Sequence, residues 1–133
     1  MTEFTLQEVE YAEVSWDFDR VDTFLREKGG LPDVGAAIFR PNDPMRIYTA
    51  NYNGETIALC QIREDRGHIK SIGVIDEYRG RGVGRQLVET VAESVSCKEI
   101  TASPMSGTRE FYEKLGMEWN DDLFRIDRQE LLS

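Results

Sequence analysis

The sequence predicts an α/β domain: a mixed, mostly antiparallel sheet of six or seven strands flanked by helices. Three observations carry that prediction. Between Arg46 and Val74 apolar residues alternate with polar ones, and turn signals break the run twice. A glycine-rich stretch then opens an apolar helical stripe that leads into another short strand, an order that usually makes a right-handed parallel unit. Residues 117–128, with Trp119, Leu123, Phe124 and Ile126, look like a closing strand pair. With 133 residues the chain has the size of one ordinary domain, so residues 1–133 are read as a single unit.

The elements follow in order. Phe4, Leu6, Val9, Tyr11 and Val14 alternate with one slip, which predicts a strand over residues 4–14 with a bulge. Ser15 suits a helix cap, and Val21, Phe24 and Leu25 repeat at helical spacing until Gly29 and Gly30. Asp33 to Phe39 suits a short second helix, which Pro41 and Pro44 close off. Asn53-Gly54 is the strongest hairpin signal, because a type I′ turn needs positive φ at both positions. Asp65 to Gly67 marks a second reversal, giving a three-stranded meander that ends in HIKSIGV. Leu87, Val88, Val91 and Val95 form a helical stripe to about Cys97, and Ile100 and Ala102 a short strand ended by Pro104. Ser106 to Leu115 reads as a helix with Gly116 as its C-cap glycine.

Composition narrows the function. A net charge of −9 argues against a nucleic-acid surface, which needs many cations facing phosphates, and it leaves room for a cationic partner. No apolar run approaches the roughly 18 residues that span a bilayer, so no membrane segment is expected. The start, MTEFTLQEVE, is acidic and lacks an apolar core, unlike a secretory signal, and the expected compartment is the cytoplasm. Cys60 and Cys97 form no CxxC pair and do not neighbour the single histidine, so no metal site is expected.

The stretch EYRGRGVGRQL, residues 77–87, sets Gly80, Gly82 and Gly84 among Arg79, Arg81 and Arg85 immediately before a helix. Glycine in a helix interior costs about 1 kcal/mol against alanine, so the pattern asks for a reason. A helix start offers unpaired N–H groups and the positive end of the macrodipole, and glycines let a phosphate approach the main chain. The competing reading is a glycine-rich turn with solvated arginines. A P-loop would need a lysine after these glycines, and there is none. A dinucleotide fingerprint would need a third glycine where Arg85 stands, and antiparallel strands come first.

The remaining pattern is RxxGxG, Arg79, Gly82 and Gly84, preceded by Ile72, Gly73 and Val74 on a strand. Here the sequence resembles the GNAT superfamily of N-acetyltransferases, whose acyl-CoA motif has this form. REFYEKLGM, residues 109–117, is similar to the family's later helix with FYEKLGF. With the matching order of elements, the resemblance covers nearly the whole chain. It implies acetyl-CoA as cosubstrate and an amine as acceptor. The backbone of Ile72, Gly73 and Val74 would pair with the pantetheine arm as an added strand does. The amides of Arg79, Gly80, Arg81, Gly82, Val83 and Gly84 would hold the pyrophosphate, with Arg79, and Arg81 or Arg85, adding charge-assisted contacts. Two parallel strands, His68 to Val74 and Glu99 to Ser103, would splay where the cosubstrate enters.

Tyr112 matches the family tyrosine held to be the general acid near the sulfur. Amine attack on a thioester expels a thiolate, and a thiol has a pKa of about 8.5 against about 10 for a phenol. The plainer reading makes Phe111 and Tyr112 aromatic core residues. An alkylammonium must also lose a proton, and His68, at the start of the motif strand, is the candidate base; a solvated residue after the Asp65 to Gly67 turn is the alternative. Glu55 and Asp76 are weaker candidates. The sequence departs from the family at Met105, where many members carry Asn, and at Lys70 and Ser71, where a carboxylate often stands. Trp16, Phe18 and Phe39 suit either an aromatic pocket or a core. The functional expectation is acetyl transfer to a primary amine of a small molecule or peptide in a ternary complex. Its rival is a non-catalytic acyl-CoA-binding module, and a homodimer is left open.

Overall fold

The computed structural model describes residues 4–14, 45–103 and 109–133. Within them seven strands form one sheet: β1 (Glu10–Val14), β2 (Met45–Tyr52), β3 (Glu55–Arg63), β4 (His68–Val74), β5 (Glu99–Ala102), β6 (Glu118–Asn120) and β7 (Leu123–Asp127). Their spatial order is β1-β2-β3-β4-β5-β7-β6. Every neighbouring pair is antiparallel except β4 and β5. The described helices are α1 (Val83–Ser94), α2 (Arg109–Lys114) and α3 (Arg128–Leu132). The helices expected over residues 15–30 and 33–39 lie outside the described residues, as do Trp16, Phe18, Phe39 and Met105.

The meander forms as the alternation dictates. Asn53 and Gly54 take φ of 51° and 77° and join β2 to β3, as a two-residue hairpin of this composition should. β3 is buried from Ile57 through Ile62, because it lies inside the sheet with strands on both sides. α1 buries Val83, Leu87, Val88, Val91 and Ala92, one stripe at helical spacing. It ends at Ser94, short of Cys97.

The N-terminal expectation needs correction. Residues 6–8 form a 3₁₀ turn, with Glu8 N–H donating to the Thr5 carbonyl at 3.0 Å and Val9 N–H to the Leu6 carbonyl at 3.1 Å, and the strand begins only at Glu10. The slip in the alternation is the three-residue step from Leu6 to Val9, which is the period of this turn rather than of a bulge. α3 was not foreseen. Asp127 caps it by accepting from the amides of Gln129 and Glu130, and the run Asp-x-x-Glu at residues 127–130 is the signal that could have found it.

Candidate active site

β4 and β5 begin side by side and then part. Their parallel register contains His68↔Thr101 and Ile69↔Ala102 and no further pair, and the Ser103 amide donates to the Ile69 carbonyl at 3.2 Å. On its other side β4 stays with β3 to the end, through Ile72↔Cys60, Gly73↔Leu59 and Val74↔Ala58. The register with β3 shifts between Gln61↔Ser71 and Ile62↔Ile69, so Lys70 is an extra residue. Such a bulge bends its strand and raises the local twist.

Peptide groups alternate in direction along a strand. The Ile75 amide donates to the Ile57 carbonyl at 2.9 Å, so Gly73 and Ile75 face β3, whereas Ile72 and Val74 turn theirs toward the gap. No described residue of β5 pairs with them. The Val74 carbonyl instead accepts from Arg79 Nε at 3.1 Å. Of the three residues assigned to the pantetheine arm, Ile72 therefore offers a full peptide group to the gap, Val74 its amide, and Gly73 neither.

The glycine-rich stretch lies where the gap opens. Gly82 is the N-cap of α1 with φ of 88°, a conformation costly for residues with a side chain, and no side chain caps this end. The helix's first bond runs from Gln86 N–H to the Gly82 carbonyl. The amides of Val83, Gly84 and Arg85 thus lack intrahelical partners, the normal state of a helix start and one suited to an anion. Gly84 has a steric role: a Cβ there would lie 2.8 Å from Cε1 of Phe111 and 3.6 Å from Cγ2 of Val74. Its smallness lets α1, α2 and β4 meet. A Cβ on Gly80 would enter open space.

The three arginines each have a partner within the chain. Arg79 holds the Val74 carbonyl. The Arg81 guanidinium sits 5.3 Å from the centroid of Phe4 and 5.9 Å from that of Tyr78. Arg85 donates to the Lys114 carbonyl at 3.0 Å and pairs with Glu89 at 3.5 Å. Phe4 also packs on Tyr52 and Tyr78, and Leu6 Cδ1 would lie 3.2 Å from a Cβ on Gly82. The N-terminal turn therefore rests against the loop, a neighbour that sequence reasoning missed.

Tyr112 is 1% exposed, its ring 5.4 Å from those of both Phe111 and Phe124. Burial, and then the nearby Cys60, push its phenol well above the ordinary range. Cys60, on the strand beside Ile72, is itself pushed up to about 12 by burial. An anion of either kind is costly in this interior. Tyr112 therefore keeps its proton at neutral pH, near Cys60 of β3.

His68 lies at the closed end. Its Nδ1 is 2.6 Å from Thr101 Oγ1 and its Nε2 2.8 Å from Ser103 Oγ. Burial, then Lys70, Arg66 and Arg63, lower its pKa to about 4, so the ring is neutral at pH 7, with one nitrogen donating and the other accepting. A group this weakly basic, with both nitrogens engaged, is poorly matched to taking a proton from an alkylammonium of pKa near 10. Glu55 starts β3 at the hairpin, and Asp76 opens the 3₁₀ turn Asp76–Tyr78. A cavity of about 610 Å³ bounded by Glu64, Asp65, Ser94 and Arg128 lies at the other end of α1. It is remote from the gap, and its Arg128 guanidinium donates to the Ala92 carbonyl at 2.6 Å.

Among the described residues no helix is long and apolar enough to cross a membrane, and no group of three or more His, Cys, Asp or Glu is placed to hold a metal ion. A parallel pair that parts beside a glycine-led helix start that no side chain caps, within a mixed seven-stranded sheet, defines the fold class. Residues 8–117 match the acetyltransferase (GNAT) family, and the chain belongs to that family. It is 33% identical over 64 residues to glucosamine 6-phosphate N-acetyltransferase of Trypanosoma brucei brucei, a match covering 46% of this chain and 44% of that protein. The chain thus spans less than half the length of the curated relatives it matches. Among solved structures it resembles the E. coli N-acetyltransferase YhhK bound to coenzyme A, with a TM-score of 0.70 and 19% identity over 90% of this chain and 98% of that one. It also resembles a GNAT family acetyltransferase of Elizabethkingia anophelis with acetyl-CoA bound, with a TM-score of 0.68 and 16% identity over the same shares. At such identity the structural likeness concerns the fold.

Proposed function

We propose that the protein transfers an acetyl group from acetyl-CoA to a primary amine of a small molecule or peptide, by direct attack while both are bound. The observation that carries this reading is the stretch of β4 with which no described residue of β5 pairs, running into a start of α1 that no side chain caps. Gap-facing peptide groups and free helix-end amides are what an amide-bearing arm with a diphosphate needs, so the residues present fit the cosubstrate.

Acetyl-CoA supplies an activated acyl group, a thioester whose attack by an amine releases a thiolate. The chain's residues then have distinct tasks. Ile72 and Val74 align the arm through main-chain hydrogen bonds. The amides of Val83, Gly84 and Arg85 take the diphosphate, with Gly80 and Gly82 leaving room for it. Tyr112 holds a proton at its hydroxyl for the leaving sulfur. Burial raises the Tyr112 phenol at least as far as it raises the Cys60 thiol, so it keeps the proton on Tyr112 until negative charge builds on the sulfur rather than narrowing the gap between phenol and thiol. Alignment itself removes much of the barrier, roughly 7 kcal/mol or more in good cases.

The test is titration calorimetry with acetyl-CoA, followed by thiol release with a panel of amines, polyamines, amino acids and N-terminal peptides. Saturable binding with amine-dependent thiol release is expected. Binding without release would make the protein an acyl-CoA-binding module, and no binding would end the reading.

A further inference from the structure

We propose that His68 is a positioning residue: its ring, bridging Thr101 Oγ1 and Ser103 Oγ, fixes where the β4–β5 ladder stops and hence where the acetyl-CoA slot begins. The inference rests on the acetyl-CoA reading and concerns how that slot is built. The parallel ladder has only two register pairs. The amides of Thr101 and Ser103 donate to the Gly67 and Ile69 carbonyls at 3.0 and 3.2 Å, a short attachment for strands that must separate one residue later. The imidazole adds two side-chain bonds across the same rungs, at 2.6 and 2.8 Å.

The placement is specific. His68 and Thr101 are register partners, so their side chains share a face, and Ser103 lies two residues further along β5 on that face. The ring therefore spans from the first rung to the residue whose amide makes the last observed bond to β4. Beyond it the Lys70 bulge turns β4 away. The bridge holds the strands together up to Ile69, and the bulge parts them after it. Without the ring the junction can fray, and Ile72 and Val74 then present their peptide groups at variable distance from β5.

The experiment measures steady-state kinetics and acetyl-CoA binding for the full chain, with an amine that supports thiol release. His68→Ala should raise KM and Kd for acetyl-CoA about tenfold, the scale of one to two net hydrogen bonds, while kcat changes less than about threefold and the pH–rate profile keeps its shape. His68→Gln, with a donor and an acceptor on one side chain, should recover most of the affinity. The double variant Thr101→Val with Ser103→Ala should reproduce the His68→Ala effect without touching the ring. A collapse of kcat with intact KM, accompanied by loss of a limb of the pH profile, would identify His68 as the base and overturn the proposal. Unchanged kinetics in all three variants would overturn it too. Failure of the unaltered protein to bind acetyl-CoA would instead remove the functional reading on which the inference stands.

Discussion

At His68 and Ile69, β4 is bound to β5 through main chain and side chain together; at Ile72 and Val74 the same strand turns its peptide groups toward β5 and finds no described partner there. The two ends share a strand. They differ in what flanks them: a bridging imidazole at one end, a bulge and the glycine-led helix start at the other. Burial likewise has opposite uses. At the closed end it keeps a histidine neutral for a structural bond, whereas near Cys60 it keeps the Tyr112 phenol protonated.

The strongest test of this contrast lies at Tyr112. Tyr112→Phe retains the ring packing against Phe111 and Phe124 while deleting the proton. It should lower kcat about a hundredfold, the lower range for general acid catalysis, with acetyl-CoA affinity unchanged in calorimetry. If turnover is retained across the pH range, Tyr112 is a core aromatic and nothing more. Gly82→Val should follow in size. It places a branched residue at φ of 88° and pushes toward Leu6, so acetyl-CoA affinity should fall at least about tenfold through strain of roughly 1–3 kcal/mol. Wild-type affinity in that variant would show that the loop does not hold the diphosphate.

The sequence was most informative where a local signal sets the geometry. Asn53-Gly54 located the β2–β3 hairpin and its first pairs, Tyr52↔Glu55 and Asn51↔Thr56, and the glycine spacing located the start of α1. It was least informative where a contact joins distant segments. His68, Thr101 and Ser103 are separated by a whole helix, and a parallel register is set by no turn, so nothing in HIKSIGV announces its bridge. Phe111 against Gly84 and Phe4 beneath Arg81 are of the same kind. The 3₁₀ turn at Leu6–Glu8 was present in the spacing but resembled a strand with a slip.

The closed end yields a pH test. His68 is the chain's one histidine, and its folded pKa, about 4, lies below its ordinary 6.5. Folding therefore favours the neutral ring: its contribution is complete above pH 6.5 and is lost as pH falls toward 4. Thermal unfolding of wild type and His68→Gln, whose amide keeps a donor and an acceptor in the bridge, should nearly coincide above pH 6.5 and separate as pH falls toward 4, wild type alone losing stability. Parallel curves across that interval would mean that the ring is as easily protonated folded as unfolded.

The smallest effect should come from Arg81, and it sharpens the account of the open end. If its charge served the diphosphate, Arg81→Gln would weaken acetyl-CoA binding strongly, and the loss would shrink in high salt. Its guanidinium lies instead over Phe4 and Tyr78, an arrangement worth about 0.5–1 kcal/mol at an exposed site. The substitution should therefore lower thermal stability slightly and change acetyl-CoA affinity by less than about fivefold, with the same salt dependence as wild type. A drop beyond tenfold that high salt erases would move Arg81 off the aromatic rings and onto the phosphates. The anion site would then depend on a mobile charge as well as on main-chain amides, and the open end would be less preorganised than the closed one.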